Sequence, residues 1–317
     1  MKYARFVFQR LSISVITMLT LFTLTFFLMR AVPGDPLSKT KNVPEAVRQN
    51  LMARYGLDKP VAQQYLIQMK HIFLEADFGT SFRTVGREVN DIIRDQFPVS
   101  AMVGGLSVTI GVFVGLCLGI LAALYRNSYI DRFAMFMCVL GIALPSFLFA
   151  YLFQFGIAVY PLTRLGFNPE TWVRPAGWGE ARDIILPAFT LSLGTVATIT
   201  RMMRAQMVEV GFSEYVKTAK AKGVSTLRLV VLHQVRNAIL PIVSILGPLL
   251  VFSMSGSIVL EGIFGLPGLG QAYMSSITNS DYNVIMGLTV FFGGFFILVN
   301  LATDVLYGFV DPRIVVT

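Results

Sequence analysis

The sequence predicts an all-α integral membrane protein with six transmembrane helices and both termini in the cytoplasm. Three observations carry this. Hydrophobic residues fill 55% of the 317 positions and charged ones only 14%, with mean hydropathy +0.66, too little charged surface for a soluble domain of this size. Apolar stretches long enough to cross a bilayer recur along the chain. Cations gather at the ends of those stretches, so the formal charge of +8 fits the positive-inside rule rather than nucleic-acid binding.

Lys2, Arg5 and Arg10 precede an uncharged run from Leu11 to Met29. The rival reading, a cleaved signal peptide, fits poorly: the run is too long for an h-region, and Ala31-Val-Pro-Gly is a poor cleavage site. Residues 1–30 are therefore read as a cytoplasmic tail and first helix. From 31 to 98 the chain turns polar. Ala46, Val47, Leu51, Met52 and Tyr55 recur at helical spacing. So do Val61, Tyr65, Leu66, Met69, Ile72 and Phe73, and then Val85, Val89, Ile92 and Ile93. Pieces this short predict an extracytoplasmic cap of small helices, punctuated by Pro33-Gly-Asp-Pro36 and Asp77-Phe-Gly-Thr80.

Residues 99–317 hold five further spans. The second, Val99 to Tyr125, carries Gly111, Gly115 and Gly119 at four-residue spacing, a stripe that lets another helix approach closely. Arg126 and Arg132 flank an inner turn. The third, Phe133 to Tyr160, is interrupted at Leu144-Pro145-Ser146-Phe147, where proline breaks the helical ladder. Pro161 to Asp183 is an external loop with Trp172 and Trp178. The fourth span runs from Ile184 to about Met203 and the fifth from Ala238 to Leu260, with Pro241 and Pro248. Glu261 to Asp281 is external and has no lysine or arginine. The sixth runs from Tyr282 to about Thr303. Inner segments in order carry 3, 2, 7 and 1 cations against 3 and 0 in the shorter outer loops, while the long outer section Arg30–Pro98 has 10 nearly balanced by 8 acids.

The most basic short segment is the inner loop 204–237, with Arg201 at its root. Ser213 is placed to cap one short helix, with Glu214 in its first turn and Lys217, Lys220 and Lys222 toward its end. Gly223 supplies a left-handed stop. Ser225 then opens a second helix with Leu227, Val230, Val231 and Val235 on one side. Ala219, Ala221 and Gly223 leave little side-chain bulk, so the loop reads as a docking element for another protein.

No catalytic chemistry is legible. A GxxxxGK[ST] loop is absent, and Gly265-Leu-Pro-Gly-Leu-Gly270 reads as a turn because no strand precedes it. The only histidines, His71 and His233, fall in the cap and the inner loop, which leaves no intramembrane protease. Cys117 and Cys138 sit in apolar segments and give neither a disulfide framework nor a metal site. Charged side chains within spans, the mark of ion-coupled carriers, are scarce: Asn300 and Asp304 lie one turn apart, and Gln154 sits in the third span. An energy source on another polypeptide is favoured, and an ion-coupled secondary carrier is the alternative.

Several dispersed motifs, in register from end to end, resemble the B-type permease subunit of oligopeptide/dipeptide ABC importers, a group that includes nickel and glutathione relatives. They are Pro33-Gly-Asp-Pro36, Tyr55-Gly-Leu-Asp-Lys-Pro60, Asp77-Phe-Gly-Thr-Ser81 and Pro145-Ser-Phe147. Farther on come Tyr215-Val-Lys-Thr-Ala-Lys-Ala-Lys-Gly223, Arg236-Asn-Ala-Ile-Leu-Pro241, Phe264-Gly-Leu-Pro-Gly-Leu-Gly270 and Asp311-Pro-Arg-Ile314. The inner loop resembles the family's EAA loop, with Lys217-Thr218-Ala219 in place of EAA, Gly223 retained, and His233-Gln-Val-Arg236 where the general form has I-x-L-P.

The resemblance implies a type I ABC importer permease fold in the cytoplasmic membrane, without catalytic residues or a bound cofactor, moving peptides on ATP and Mg held by partners. Those partners are a C-type permease, one or two ABC ATPases and an extracytoplasmic substrate-binding protein, with membrane lipid around the chain. Glu214, Tyr215, Lys217, Thr218, Ala219, Ala221, Gly223, His233 and Arg236 would couple to an ATPase. Pro145, Ser146, Gln154, Asn300 and Asp304 would border the pathway, and Phe264, Gly265, Pro267, Gly268 and Gly270 would form an external loop.

Overall fold

A computed structural model describes residues 2–31, 49, 52–84, 86–160 and 174–310, with side chains from 8 to 303 within those ranges. Pro33-Gly-Asp-Pro36, Ala46, Val47, Leu51, Val85, Trp172 and Asp311-Pro-Arg-Ile314 lie outside the described residues, as does the side chain of Asp304. The described elements are helical, apart from a single β-bridge between Thr80 and Glu88. They are α1 (Lys2–Ala31), α2 (Val61–Leu74), α3 (Val89–Leu124), α4 (Tyr129–Ala143), α5 (Ser146–Val159) and α6 (Ile185–Gly211). Then follow α7 (Glu214–Ala221), α8 (Thr226–Ala238), α9 (Leu240–Met254), α10 (Ile258–Phe264), α11 (Leu269–Thr278) and α12 (Tyr282–Val310).

Among the described residues, four segments are able by length and composition to cross a membrane: Phe8–Ala31, Val89–Leu124, Ala181–Gly211 and Tyr282–Thr303. Counting the bent pairs α4–α5 (104°) and α8–α9 (53°) as one span each raises the total to six. The first bend falls at Leu144, whose extended backbone (φ −85°, ψ 131°) is what a following proline imposes.

Two expectations are corrected. Val89, Ile92 and Ile93 do not form a separate cap helix but open α3, which runs on through Pro98. Burial of Val89 and Ile92 against Leu269, Val284 and Leu288 outweighs the ladder bond that Pro98 removes. The expected single helix from Ala238 to Leu260 ends instead at Met254, and Gly256, at φ +92°, turns the chain into the separate α10.

The chain divides into two compact units, 1–99 with 267–298, and 100–266 with 299–317. In the first, Phe22 and Phe26 of α1 are fully buried against Tyr65, Ile72, Met286 and Val290. The guanidinium of Arg30 lies 3.7 Å from the Phe26 ring centre and donates to Gln64 Oε1. Buried Asp281 accepts from Ser81 Oγ (2.5 Å) and Phe82 N (3.0 Å), and Asn283 donates to the Thr80 carbonyl (3.0 Å). The cap is thus tied to the residues that lead into α12.

In the second unit the glycine stripe finds its partner. A Cβ on Gly111, Gly115 or Gly119 would lie 2.5–2.7 Å from the Cβ of Thr195, Ile199 or Met203 respectively. Each step of four along α3 matches a step of four along α6 in the same direction, so these helices run parallel. Gly104 approaches the Ser253 backbone of α9, and Gly141 of α4 faces Ala197 of α6.

Gly115→Leu is expected to push α3 off α6 and cost about 1–3 kcal/mol, the usual range for overpacking. A lower thermal midpoint in detergent, with membrane insertion preserved, is the check. In the cap, burial pushes the Asp77 carboxyl up, but the Arg54 hydrogen bond (2.7 Å), the Gly79 amide (2.8 Å) and nearby His71 bring it below its ordinary value. A carboxyl whose folded pKa is lowered stabilises at pH above its unfolded value and loses that contribution as pH falls through the folded one. Protease protection around 76–82 is therefore expected to weaken on strong acidification, and Arg54→Met to blunt the change. Solvent screening keeps the effect within about 1 kcal/mol.

Candidate docking site

The basic segment forms a helical hairpin hung from α6. That helix does not stop near Met203 but continues to Gly211, because Met203 and Met207 are buried with Ile199, Val230, Ala238 and Ile242. Phe212 and Ser213 make the corner. Ser213 takes the N-cap place of α7, and its carbonyl accepts from Val216 N and Lys217 N (both 3.1 Å). Its hydroxyl instead donates back to the Val210 carbonyl at 2.6 Å, so the expected side-chain cap does not form. Ser225 likewise stands at the start of α8 without a side-chain cap bond.

The end of α7 is closed as the glycine predicts. Gly223 has φ +77°, its N–H donates to Lys220 O (3.0 Å), and Val224 N donates to Ala219 O (3.3 Å). This is a Schellman closure, and Val224 packs against the cluster of Val216, Ala219 and Leu229 as that motif favours. Only glycine reaches this backbone conformation without strain.

The low-bulk strip is divided. Ala219 is 9% exposed and turned into the hairpin's own core, whereas Ala221 and Gly223 are open to solvent, with nothing within 4 Å of a Cβ built on Gly223. Tyr215, Lys217, Thr218 and Lys222 share that open exposure. Lys217 Nζ pairs with Glu214 at 2.8 Å, and Thr218 Oγ1 donates to the Glu214 carbonyl. In α8, Leu229–Val235 is π-helical, so each turn takes in more residues and the apolar face changes phase. Leu229 and Val230 are buried while Leu227 and Val231 are exposed, which corrects the expected grouping of Leu227, Val230, Val231 and Val235. His233 is half-buried, its carbonyl accepting from Asn237, and Arg236 is exposed.

The remaining candidates occupy separate settings. Pro145 and Ser146 are exposed at the bend between α4 and α5. Gln154 donates to the carbonyls of Pro175 (2.8 Å) and Ile263 (3.0 Å), pinning two loop backbones. Asn300 lies beside Gly247 of α9. The 264–270 segment is a turn between α10 and α11: Gly265 (φ +64°) stops α10, Leu266 N donates to Glu261 O, and Gly268 stands at the start of α11. Phe264 is buried, its carbonyl accepting from Gly177 N. Pro267 begins the stretch of the first unit that ends at Leu298, and Gly270 is buried in α11.

Among the buried acids that the sequence did not single out are Asp131 and Glu261. Asp131 takes a two-pronged contact from Arg204, Nε to Oδ1 at 2.5 Å and Nη2 to Oδ2 at 2.7 Å. Glu261, assigned to an external loop, is 4% exposed and accepts from Ser100 Oγ at 2.6 Å. The spacing Ser128-x-x-Asp131, a capping-box signature, was the available signal for the first.

A profile of the family "Binding-protein-dependent transport system inner membrane component" matches residues 115–316, and one described as "Binding-prot-dependent transport system membrane comp, N-term" matches residues 3–104. The dipeptide transport system permease protein DppB of Bacillus subtilis (strain 168) is 40% identical over 311 residues, 98% of each chain. The oligopeptide transport system permease proteins OppB of Haemophilus influenzae and Escherichia coli (strain K12) are 39% and 36% identical over 312 residues, 98% of this chain and 99% of theirs.

Gly223→Val is expected to destabilise the hairpin by about 1–2 kcal/mol, the cost of a left-handed backbone for a residue with a Cβ. Ala219→Trp should open it further, having no room beside Leu229. Ala221→Trp should leave it closed. Amide exchange over 213–235 in purified protein distinguishes the three.

Proposed function

The chain belongs to the family of binding-protein-dependent transport system inner membrane components, a multi-pass protein of the cytoplasmic membrane, and from that premise we propose that it is one permease half of an ATP-driven importer of dipeptides or oligopeptides. One observation carries the peptide reading: identity to peptide permeases of 36–40% extends over 98% of this chain, cap and hairpin included.

The hairpin geometry supports the coupling role. α7 is short, closed at its end, basic and open on the Tyr215, Thr218, Ala221 and Gly223 side. Its Val216 and Ala219 pack on Leu229 of α8 and Val210 of α6, and α8 is in turn joined to α6 by the cluster of Val230 and Ala238 with Met203 and Met207. A force applied to α7 by an ATPase would therefore reach α6, and through the glycine register α3, without being absorbed by a slack linker. The partners in this reading are a C-type permease, one or two ATPases carrying ATP and Mg, and an extracytoplasmic binding protein that meets the cap. The parallel run of α3 and α6 supports the six-span type I arrangement with both termini cytoplasmic.

The test is reconstitution. Vesicles holding this chain with its partner permease and ATPases should accumulate peptide only with ATP and loaded binding protein. Uptake by the chain alone, driven by an ion gradient, would establish the secondary carrier instead. Ala221→Trp should keep the hairpin closed yet reduce co-purification of the ATPases by at least about tenfold, as when a central interface contact is blocked. Undiminished ATPase binding would remove α7 from the interface.

A further inference from the structure

The inner turn between α3 and α4 is built more firmly than a connection needs. Ser128 stands at the N-cap of α4, its Oγ accepting from Asp131 N at 3.4 Å. Asp131 Oδ2 reaches back to accept from Asn127 N (2.9 Å), and the Arg132 guanidinium donates to the Asn127 carbonyl (3.3 Å). Asn127 holds φ +65° in this arrangement. The same Asp131 carboxylate, its side chain 4% exposed, receives both prongs of Arg204, whose side chain is 25% exposed.

Arg204 is the residue after Met203, the contact of Gly119, and precedes the α6–α7 corner by two turns. At that corner the Arg126 guanidinium lies 5.8 Å from the Phe212 ring centre. The turn therefore holds α6 firmly through Asp131, beside the glycine contact, and touches the root of α7 by a weaker, solvent-exposed cation–ring contact. A forked guanidinium–carboxylate contact resists rotation as well as separation, which a lysine point charge does not.

We propose that Asp131 and Arg204 are positioning residues that make the α3–α4 turn a second strut of the docking hairpin, so that displacement of α7 moves α3 and α4 together with α6. The proposal rests on the importer reading. A pair that served only to hold the fold would affect assembly, whereas a transmitting strut affects transport per ATP. Truncating one partner alone leaves the other's charge buried and uncompensated, so conservative and compensating variants are needed.

The experiment uses the reconstituted full complex with Asp131→Asn, with Arg204→Lys, and with the exchange Asp131→Arg plus Arg204→Asp. Complex yield, ATP hydrolysis with and without loaded binding protein, and peptide uptake are read for each. The single variants are expected to assemble and hydrolyse ATP at the basal rate, to lose stimulation by binding protein, and to drop uptake per ATP by about tenfold, within the usual range of site coupling. The exchange should recover most of it. Unchanged uptake per ATP in both single variants, an exchange no better than they are, or loss of assembly in all three would each overturn the strut. Native complex that fails to take up peptide on ATP would overturn the importer reading itself.

Discussion

Close backbone approach between α3 and α6 is the constraint on which the second unit depends. Three glycines at four-residue spacing meet Thr195, Ile199 and Met203 in matched register, at distances no side chain on α3 would permit. In lipid, apolar burial gives little drive for helices to associate, so such contact-dense packing carries much of the cohesion. The register also fixes where α6 ends relative to α3. With Met203 seated on Gly119, Met207 enters the same core and the helix continues to the corner that carries the hairpin.

The hairpin shows how a short helix is made into a rigid part. Eight residues do not form a stable helix alone in water. Here Val216 and Ala219 are covered by Leu229 and Val224, the carbonyls at its end are satisfied through Gly223, and α8 is bound to α6 through Val230 and Ala238. Little of the exposed side is needed for this internal packing, which leaves Tyr215, Lys220, Ala221 and Lys222 open to solvent. Consecutive residues at the start of the π-helical stretch of α8 divide between the two neighbours, Leu229 packing with Val216 and Ala219 of α7 and Val230 with Met203 and Met207 of α6.

Polar contacts tie together stretches distant in sequence. Within the first unit, Asp281 joins Ser81 and Phe82, both assigned outside. Within the second, Gln154 and Gly177 bring the 174–177 backbone to that of Ile263 and Phe264, while Asp131 and Arg204 join the α3–α4 turn to α6. The buried carboxylates of Asp281 and Asp131 thus have their partners supplied, as a low-dielectric setting requires.

Composition and periodicity alone determined the helical membrane class, the position of each apolar stretch, the break before Pro145 and the left-handed stop at Gly223. These are local: chain length against bilayer thickness, proline's restriction of its predecessor, and glycine's freedom at positive φ. Tertiary packing decided the rest. Whether Val89 and Ile92 form their own helix or open α3, which way Ala219 faces, and where α6 stops each turn on burial against residues distant in sequence. So do the pairings of Asp131 with Arg204 and of Glu261 with Ser100, since no local rule says which oxygen or guanidinium the fold will bring within reach. A spacing specifies a face, and only packing specifies what meets it.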